Sequence, residues 1–97
     1  MISCIKLVTG EDIIGEMTMH DTGKVTVKNA FAVVMVPAAQ NQYTVGLAPF
    51  LPFASTKEMT YNREHVVLMF EPVSELANDY RRITGGIILA KSELKLV

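Results

Sequence analysis

From Ile5 to Asp21 the chain reads Ile-Lys-Leu-Val-Thr-Gly-Glu-Asp-Ile-Ile-Gly-Glu-Met-Thr-Met-His-Asp, two runs of alternating apolar and polar positions around Thr9-Gly10-Glu11-Asp12. Gly10 tolerates the positive φ that a tight reversal needs, so the pattern predicts a β-hairpin. Ile5 and Leu7 take one face of the first strand with Lys6 opposite. Gly15, Met17 and Met19 share a face of the second, opposite Glu16, Thr18 and His20. A mid-strand glycine weakens a sheet unless the strand must bend sharply or another backbone comes close. Gly15 therefore predicts a strongly bent sheet, as in a small barrel.

Asp21-Thr22-Gly23-Lys24 reads as the second turn. A long third strand follows to about Pro37, with Val25, Val27, Phe31, Val33 and Met35 on one face and Asn29 the only interruption. Thr26 and Lys28 lie opposite, but Ala30, Ala32, Val34 and Val36 then make the far half apolar on both faces, which predicts cover on both sides. After a polar loop from Ala38 to Gln42, Tyr43, Val45 and Leu47 begin a fourth strand that meets Pro49 and Pro52. Proline cannot donate to a sheet ladder, so Pro49 to Phe53 is expected at an edge or as an extended rim. Ser55 to Glu58 is the next turn, and Met59 to Glu71 is a fifth strand centred on Val66 to Phe70 and closed by Pro72. Ser74 is placed to cap a short helix with Leu76, Ala77, Tyr80 and Ile83 on one side and Glu75, Asn78, Asp79, Arg81 and Arg82 on the other. Gly85-Gly86 ends it. Ile87 to Ala90 is a last apolar piece, read as extended, before a weakly alternating Lys-Ser-Glu-Leu-Lys tail.

The 97 residues have room for one domain, 1–97, with one modest core. Hydrophobic residues make up 49% of the chain, which excludes a disordered tail. The net charge of −1 argues against bulk phosphate binding, so any nucleic-acid contact must be local. Cys4 is the single cysteine, which excludes an internal disulfide, and no Cys/His cluster has zinc-ligand spacing. The opening Met-Ile-Ser-Cys-Ile-Lys lacks the pattern of a signal peptide, and the longest apolar run, Ala30 to Ala39, is too short to span a bilayer. A cytoplasmic protein is expected. The distribution of charge is more informative than its sum: from Asn29 to Thr56 there is no Asp, Glu, Lys or Arg, although such residues are 20% of the chain.

The series Ile5-x-Leu7-x-x-Gly10-x-x-Ile13-x-Gly15-x-Met17, with Ile14 as the alternative to Ile13 and Asp21 four residues beyond, resembles the first motif of the Sm-like family. The whole chain is similar to small Sm-like proteins of bacteriophages in its Thr-Gly-Glu-Asp opening, its Val45 to Pro49 segment and its Glu71-Pro72 to Tyr80 ending. The resemblance implies a mainly β fold, a five-stranded, strongly bent, antiparallel Sm-like (SH3-like) barrel with one short helix near the C-terminus. For a phage protein it implies the host cytoplasm. Such barrels usually begin with a helix; this chain begins on a strand, and its late helix is expected to cover the exposed barrel face instead.

The family assembles by pairing the fourth strand of one subunit with the fifth of the next. The charge-free stretch, an aggregation hazard on an unpartnered edge, fits that use. The resemblance thus implies a homo-oligomeric ring of roughly five to seven copies, since a head-to-tail contact closes when its rotation divides a full turn. The expected interface residues are Tyr43, Val45, Leu47, Phe50, Leu51, Phe53, Val66 and Leu68. The competing reading makes Ala30 to Phe53 a core hairpin of a monomer.

In the family, two loops at the ring centre take up single-stranded, U- or A-rich RNA, whose bases stack on flat side chains and expose their edges. The matching positions here are His20, Asp21 and Lys24 in the first turn and Tyr61, Asn62 and Arg63 in the second. Each has a plainer reading: His20 and Asp21 as a solvated turn, Tyr61 as packing, Arg63 with Glu64 as a surface pair. Arg81 and Arg82 are an exposed helix face or, in a ring, a second basic band. The chain also departs from the motifs. Val25 stands where the family's Met-Asn pair is expected, and Asn62-Arg63 falls out of register with its Arg-Gly.

The two histidines, His20 and His65, are not accompanied by a phosphate loop, a nucleophile elbow or a metal-ligand pair. No enzyme activity and no cofactor is expected. The sequence supports a ring-forming, RNA-binding Sm-like protein. The alternative is a protein-protein assembly module that keeps the ring and binds no RNA.

Overall fold

Hairpins form where the chain holds residues that accept positive φ. The computed structural model describes residues 2–56 and 58–85; Ile87 to Ala90 and the tail that follows lie outside the described residues. Strands β1 (Ile2–Leu7) and β2 (Asp12–Met19) are joined through Gly10 at φ 99°, and β2 and β3 (Val25–Pro37) through Gly23 at φ 88°. The two turns share one hydrogen-bond pattern. Gly10 N–H donates to Leu7 O (2.8 Å) and Leu7 N–H to Glu11 O (2.9 Å); Gly23 N–H donates to His20 O and His20 N–H to Lys24 O, both at 2.9 Å. This is the three-residue hairpin with a left-handed final residue, which suits glycine. Gln40 and Asn41, at φ 58° and 63°, turn β3 into β4 (Tyr43–Pro49). Strands β5 (Glu58–Tyr61) and β6 (Val66–Phe70) and helix α1 (Ser74–Thr84) complete the described chain.

The antiparallel sheet runs β4-β3-β2-β1-β6, with β5 added to β3. The expected single strand from Met59 to Glu71 is two strands with different neighbours: β5 pairs with Val25 to Lys28 of β3, and β6 with Cys4 to Leu7 of β1. A 3₁₀ turn, Arg63–His65, carries the chain between them. Among the described residues the sheet therefore has six strands rather than five.

The decisive local feature lies where β2 and β3 cross. Ile14 pairs with Phe31 but Glu16 pairs with Lys28, so Asn29 and Ala30 together oppose Gly15. Asn29 sits at φ 52°. Such a bulge bends a strand and moves later side chains to the other face. The expectation that Phe31, Val33 and Met35 continue the face of Val25 and Val27 is corrected accordingly. Ala30 and Ala32 instead pack beside Val25 and Val27, with Ile5, Leu7, Ile13 and Met17, while Phe31 and Val33 turn to the opposite side. Gly15 is required here. A Cβ on it would lie 2.5 Å from Val27 Cγ1 and 2.9 Å from Lys28 O.

On that opposite side Cys4, Ile14 and Leu47 are fully buried beneath α1, with Phe31, Val33, Leu76 and Ile83 packed around them. Helix α1 lays down the face that its spacing predicts, burying Ala77 and Tyr80. Its cap differs from expectation: Val73 is the N-cap, no side chain caps it, and Ser74 is already helical. Tyr80 meets Phe31 edge-to-face with ring centroids 6.0 Å apart. Its hydroxyl donates to Asn29 O at 2.8 Å, so the helix is bonded to the bulge itself.

Two substitutions test this arrangement. Gly15→Ala forces a backbone to yield and is expected to cost about 1–3 kcal/mol. Tyr80→Phe keeps the ring but leaves a bulge carbonyl without its donor, at a cost of about 1–3 kcal/mol. Urea denaturation reads both; unchanged midpoints would mean the bulge holds itself.

Candidate functional site

The β2–β3 turn and the 3₁₀ turn come together at one end of the molecule. Val25 pairs with Tyr61, and a Cβ built on Gly23 would lie 3.8 Å from Arg63 Cβ. The far end of the 3₁₀ turn is held by a third loop, since Val8 N–H donates to His65 O at 3.0 Å. The structure thus gathers His20, Asp21 and Lys24 with Asn62 and Arg63, all exposed.

His20 is the most constrained of them. Its Nε2 lies 2.6 Å from Thr26 Oγ1, which lies 2.9 Å from Thr60 Oγ1. The chain of bonds runs in either direction while the ring is neutral; a protonated ring must donate. With Nε2 engaged, Nδ1 and the ring face remain for a ligand. Thr26 and Thr60 were missed by sequence reasoning. Alternation puts Thr26 on the polar face, but nothing in the sequence reveals that β5 brings Thr60 beside it.

Tyr61 is a different case. It is half-buried against Val25, Val27 and Leu7, and its hydroxyl is buried with no hydrogen-bond partner among the described residues. Burial, then the charge of Glu11, pushes its pKa above the ordinary 10.0. Its place is in the packing beneath the turn. The local charge is not positive: the neighbouring turns carry Lys24 and Arg63 along with Asp21, Glu64 and Glu11. On α1, Arg82 is paired with Asp79 at 2.9 Å, and Arg81 donates to Asn78 Oδ1 at 3.0 Å.

The residues expected at an interface divide into three groups. Leu47 is fully buried beneath α1, so it is core and not border, a correction that follows from the side switch at Asn29. Phe50 and Val66 are half-buried against the inner cluster. Tyr43, Val45, Leu51, Phe53 and Leu68 are exposed, Phe53 almost completely at 99%. The sheet order leaves β4 and β6 each with one unpaired edge among the described strands. From Val67 to Phe70 on β6 the exposure is 39% or more, so beyond half-buried Val66 side chains on both faces of this strand are open.

Among the described residues no group of three His, Cys, Asp or Glu side chains is placed to hold a metal ion, and no helix is long and apolar enough to cross a membrane. Cys4 is fully buried; burial first and the charge of Asp12 second raise its pKa to about 11, which keeps it a thiol. No family model matches this chain, and no curated protein matches it at a significant level.

The buried thiol predicts a stability change in alkali. An unfolded chain loses the Cys4 proton near 9.0, whereas the folded chain holds it to about 11. Over that window the unfolded state binds fewer protons, so stability falls as pH rises. Thermal melts from pH 8 to pH 11 are expected to show the decline, and Cys4→Ala to make it shallower; equal slopes in the two proteins would contradict it.

Proposed function

We propose that this chain is an Sm-like barrel that assembles into a homo-oligomeric ring and binds single-stranded RNA at the ring centre. The observation that carries the assembly is that, among the described strands, β4 and β6 each keep an unpaired edge and bear exposed apolar side chains. Uncharged edges of this kind are shed by pairing with another chain. In the proposed ring the β4 edge, with Tyr43 and Val45, pairs with β6 of the next copy, with Leu68 and its neighbours. The barrel is formed by β1, β2 and β3 curling about the inner apolar cluster, with β5, the 3₁₀ turn and β6 bridging their outer sides.

The RNA contact rests on the meeting of the two turns. His20, oriented by Thr26, offers a ring for stacking, and Asn62 and Arg63 offer donors to base edges. Lys24 supplies a phosphate contact. The lack of net positive charge assigns most of the affinity to bases, and the ring multiplies a weak site by the number of copies. The same lack of positive charge favours one other reading, a ring that docks a protein through its apolar surface and binds no RNA.

Fluorescence anisotropy with oligo-U and oligo-A at low and moderate salt separates the two. The RNA reading expects binding with a shallow salt dependence and roughly tenfold weakening in His20→Ala or Arg63→Ala. Absence of binding at low salt removes it and leaves the protein-docking ring. Light scattering tests the assembly independently: the expected mass is that of roughly five to seven chains, and a monomer mass ends both readings.

A further inference from the structure

Imidazole is the side chain whose charge changes near neutrality, and His20 brings one to the place where the two turns meet. Its Nε2 lies 2.6 Å from Thr26 Oγ1, and Thr26 Oγ1 lies 2.9 Å from Thr60 Oγ1. A hydroxyl both donates and accepts, and its proton rotates to suit its neighbours. While the ring is neutral, Thr60 can donate to Thr26 and Thr26 to Nε2. A protonated ring donates instead, so Thr26 turns its proton to Thr60 and Thr60 turns its own to water. Both charge states keep every bond of the row, and only two hydroxyl protons have to move.

The surrounding charge makes the state of this ring matter. On the polar face that carries His20 stand Glu16 of β2, Lys28 of β3 and Glu58 of β5. In the turns stand Asp21 and Lys24 beside it, Arg63 and Glu64 of the 3₁₀ turn, and Glu11 of the third loop. None of them forms an ion pair with His20 among the described residues. The turns alone hold two cations against three carboxylates, so one proton on His20 makes the numbers equal. A charged imidazole is also the better platform, because a cation is drawn to the π face of a stacked base and to the phosphate beside it. In a ring the change repeats at every subunit around one opening.

We propose that His20 is a proton switch for this site, with Thr26 and Thr60 as its positioning residues: proton uptake reverses the hydroxyl relay and tightens the hold on single-stranded RNA. The relay is a property of the free protein, whereas the tightening rests on the proposed RNA contact. Linkage makes the effect reciprocal, so an RNA that prefers the protonated form also draws a proton onto the ring.

Two measurements separate the relay from the RNA. The first follows the ring nitrogens of His20 and His65 by NMR through a pH titration of the unbound protein. A hydrogen bond from a charged donor is the stronger kind, so loss of its acceptor penalises the charged ring more than the neutral one. Thr26→Val is expected to lower the pH at which His20 is half-protonated by about 0.5 or more. Thr60→Val lowers it by less, Thr26→Ser restores it, and His65 stays in place as the control. A His20 titration that Thr26→Val leaves unmoved overturns the relay.

The second is fluorescence anisotropy with oligo-U at pH 5.5 and pH 7.5, a range in which uracil does not titrate. The wild-type protein is expected to bind roughly fivefold tighter at the lower pH, and His20→Gln to bind weakly and equally at both. Equal affinities in the wild type, or a pH effect that survives His20→Gln, overturn the switch while leaving the RNA contact standing. Binding at neither pH ends the RNA contact and the switch with it.

Discussion

The fold depends on one close approach, the meeting of Gly15 on β2 with the Asn29 bulge on β3. Three properties of β3 change together at that point. Before it, Val25 to Lys28 pair with β5; after it, Phe31 to Pro37 pair with β4. Before it, odd-numbered residues pack inside; after it, the alanines do, and Phe31 and Val33 pass beneath α1. Before it, strands carry charge; after it, none appears until beyond Thr56. A side chain on Gly15 would collide with Val27 and with Lys28 O, so the bend requires a bare backbone. Tyr80 then ties α1 to the bent backbone through Asn29 O. The helix is consequently placed by the same residues that bend the sheet.

Much of this was legible in the sequence, for local reasons. The first two hairpins could be read because alternation has period two and glycines fall where the left-handed residue must be. The apolar face of α1 could be read because Leu76, Ala77, Tyr80 and Ile83 keep helical spacing. Non-local consequences were not legible. Asn29 looked like a passing interruption, because one residue at positive φ leaves the composition of a strand untouched while reversing every later side chain. The division of Met59 to Glu71 was hidden too, since the 3₁₀ turn Arg63–His65 is built from residues that also suit a strand end. Leu47 went to the border because β4 was read as an edge; the structure makes β4 an edge for its backbone while burying Leu47 beneath the helix.

The candidate site was legible as two turns and illegible as a geometry. His20 and Arg63 are separated along the chain by the whole of β3, β4 and β5, and their two turns meet because β5 returns to the start of β3. What positions His20 is a row of threonines across β2, β3 and β5, Thr18 opposite Thr26 and Thr26 opposite Thr60. Beside it runs a second row, Glu16, Lys28 and Glu58. The outer surface of the β5-bonded half is therefore a polar lattice in register. Tyr61, one position from Thr60, points the other way and joins the core.

The contrast between the two halves of β3 governs what each can meet. The polar half presents hydroxyls, carboxylates and a lysine, groups that water satisfies without cost. The charge-free half ends in the β4 edge, where Tyr43 and Val45 stand exposed on an edge that no described strand pairs. At the opposite end of the sheet, β6 exposes Val67 and Met69 on one face and Leu68 and Phe70 on the other. A strand in the middle of a fold is covered on both faces; one at a solvated border carries polar residues outward. β6 has the composition of the first and the position of the second. That mismatch disappears if a further strand and its side chains close over it, and the β4 edge, equally uncharged and equally unpaired, has the matching chemistry.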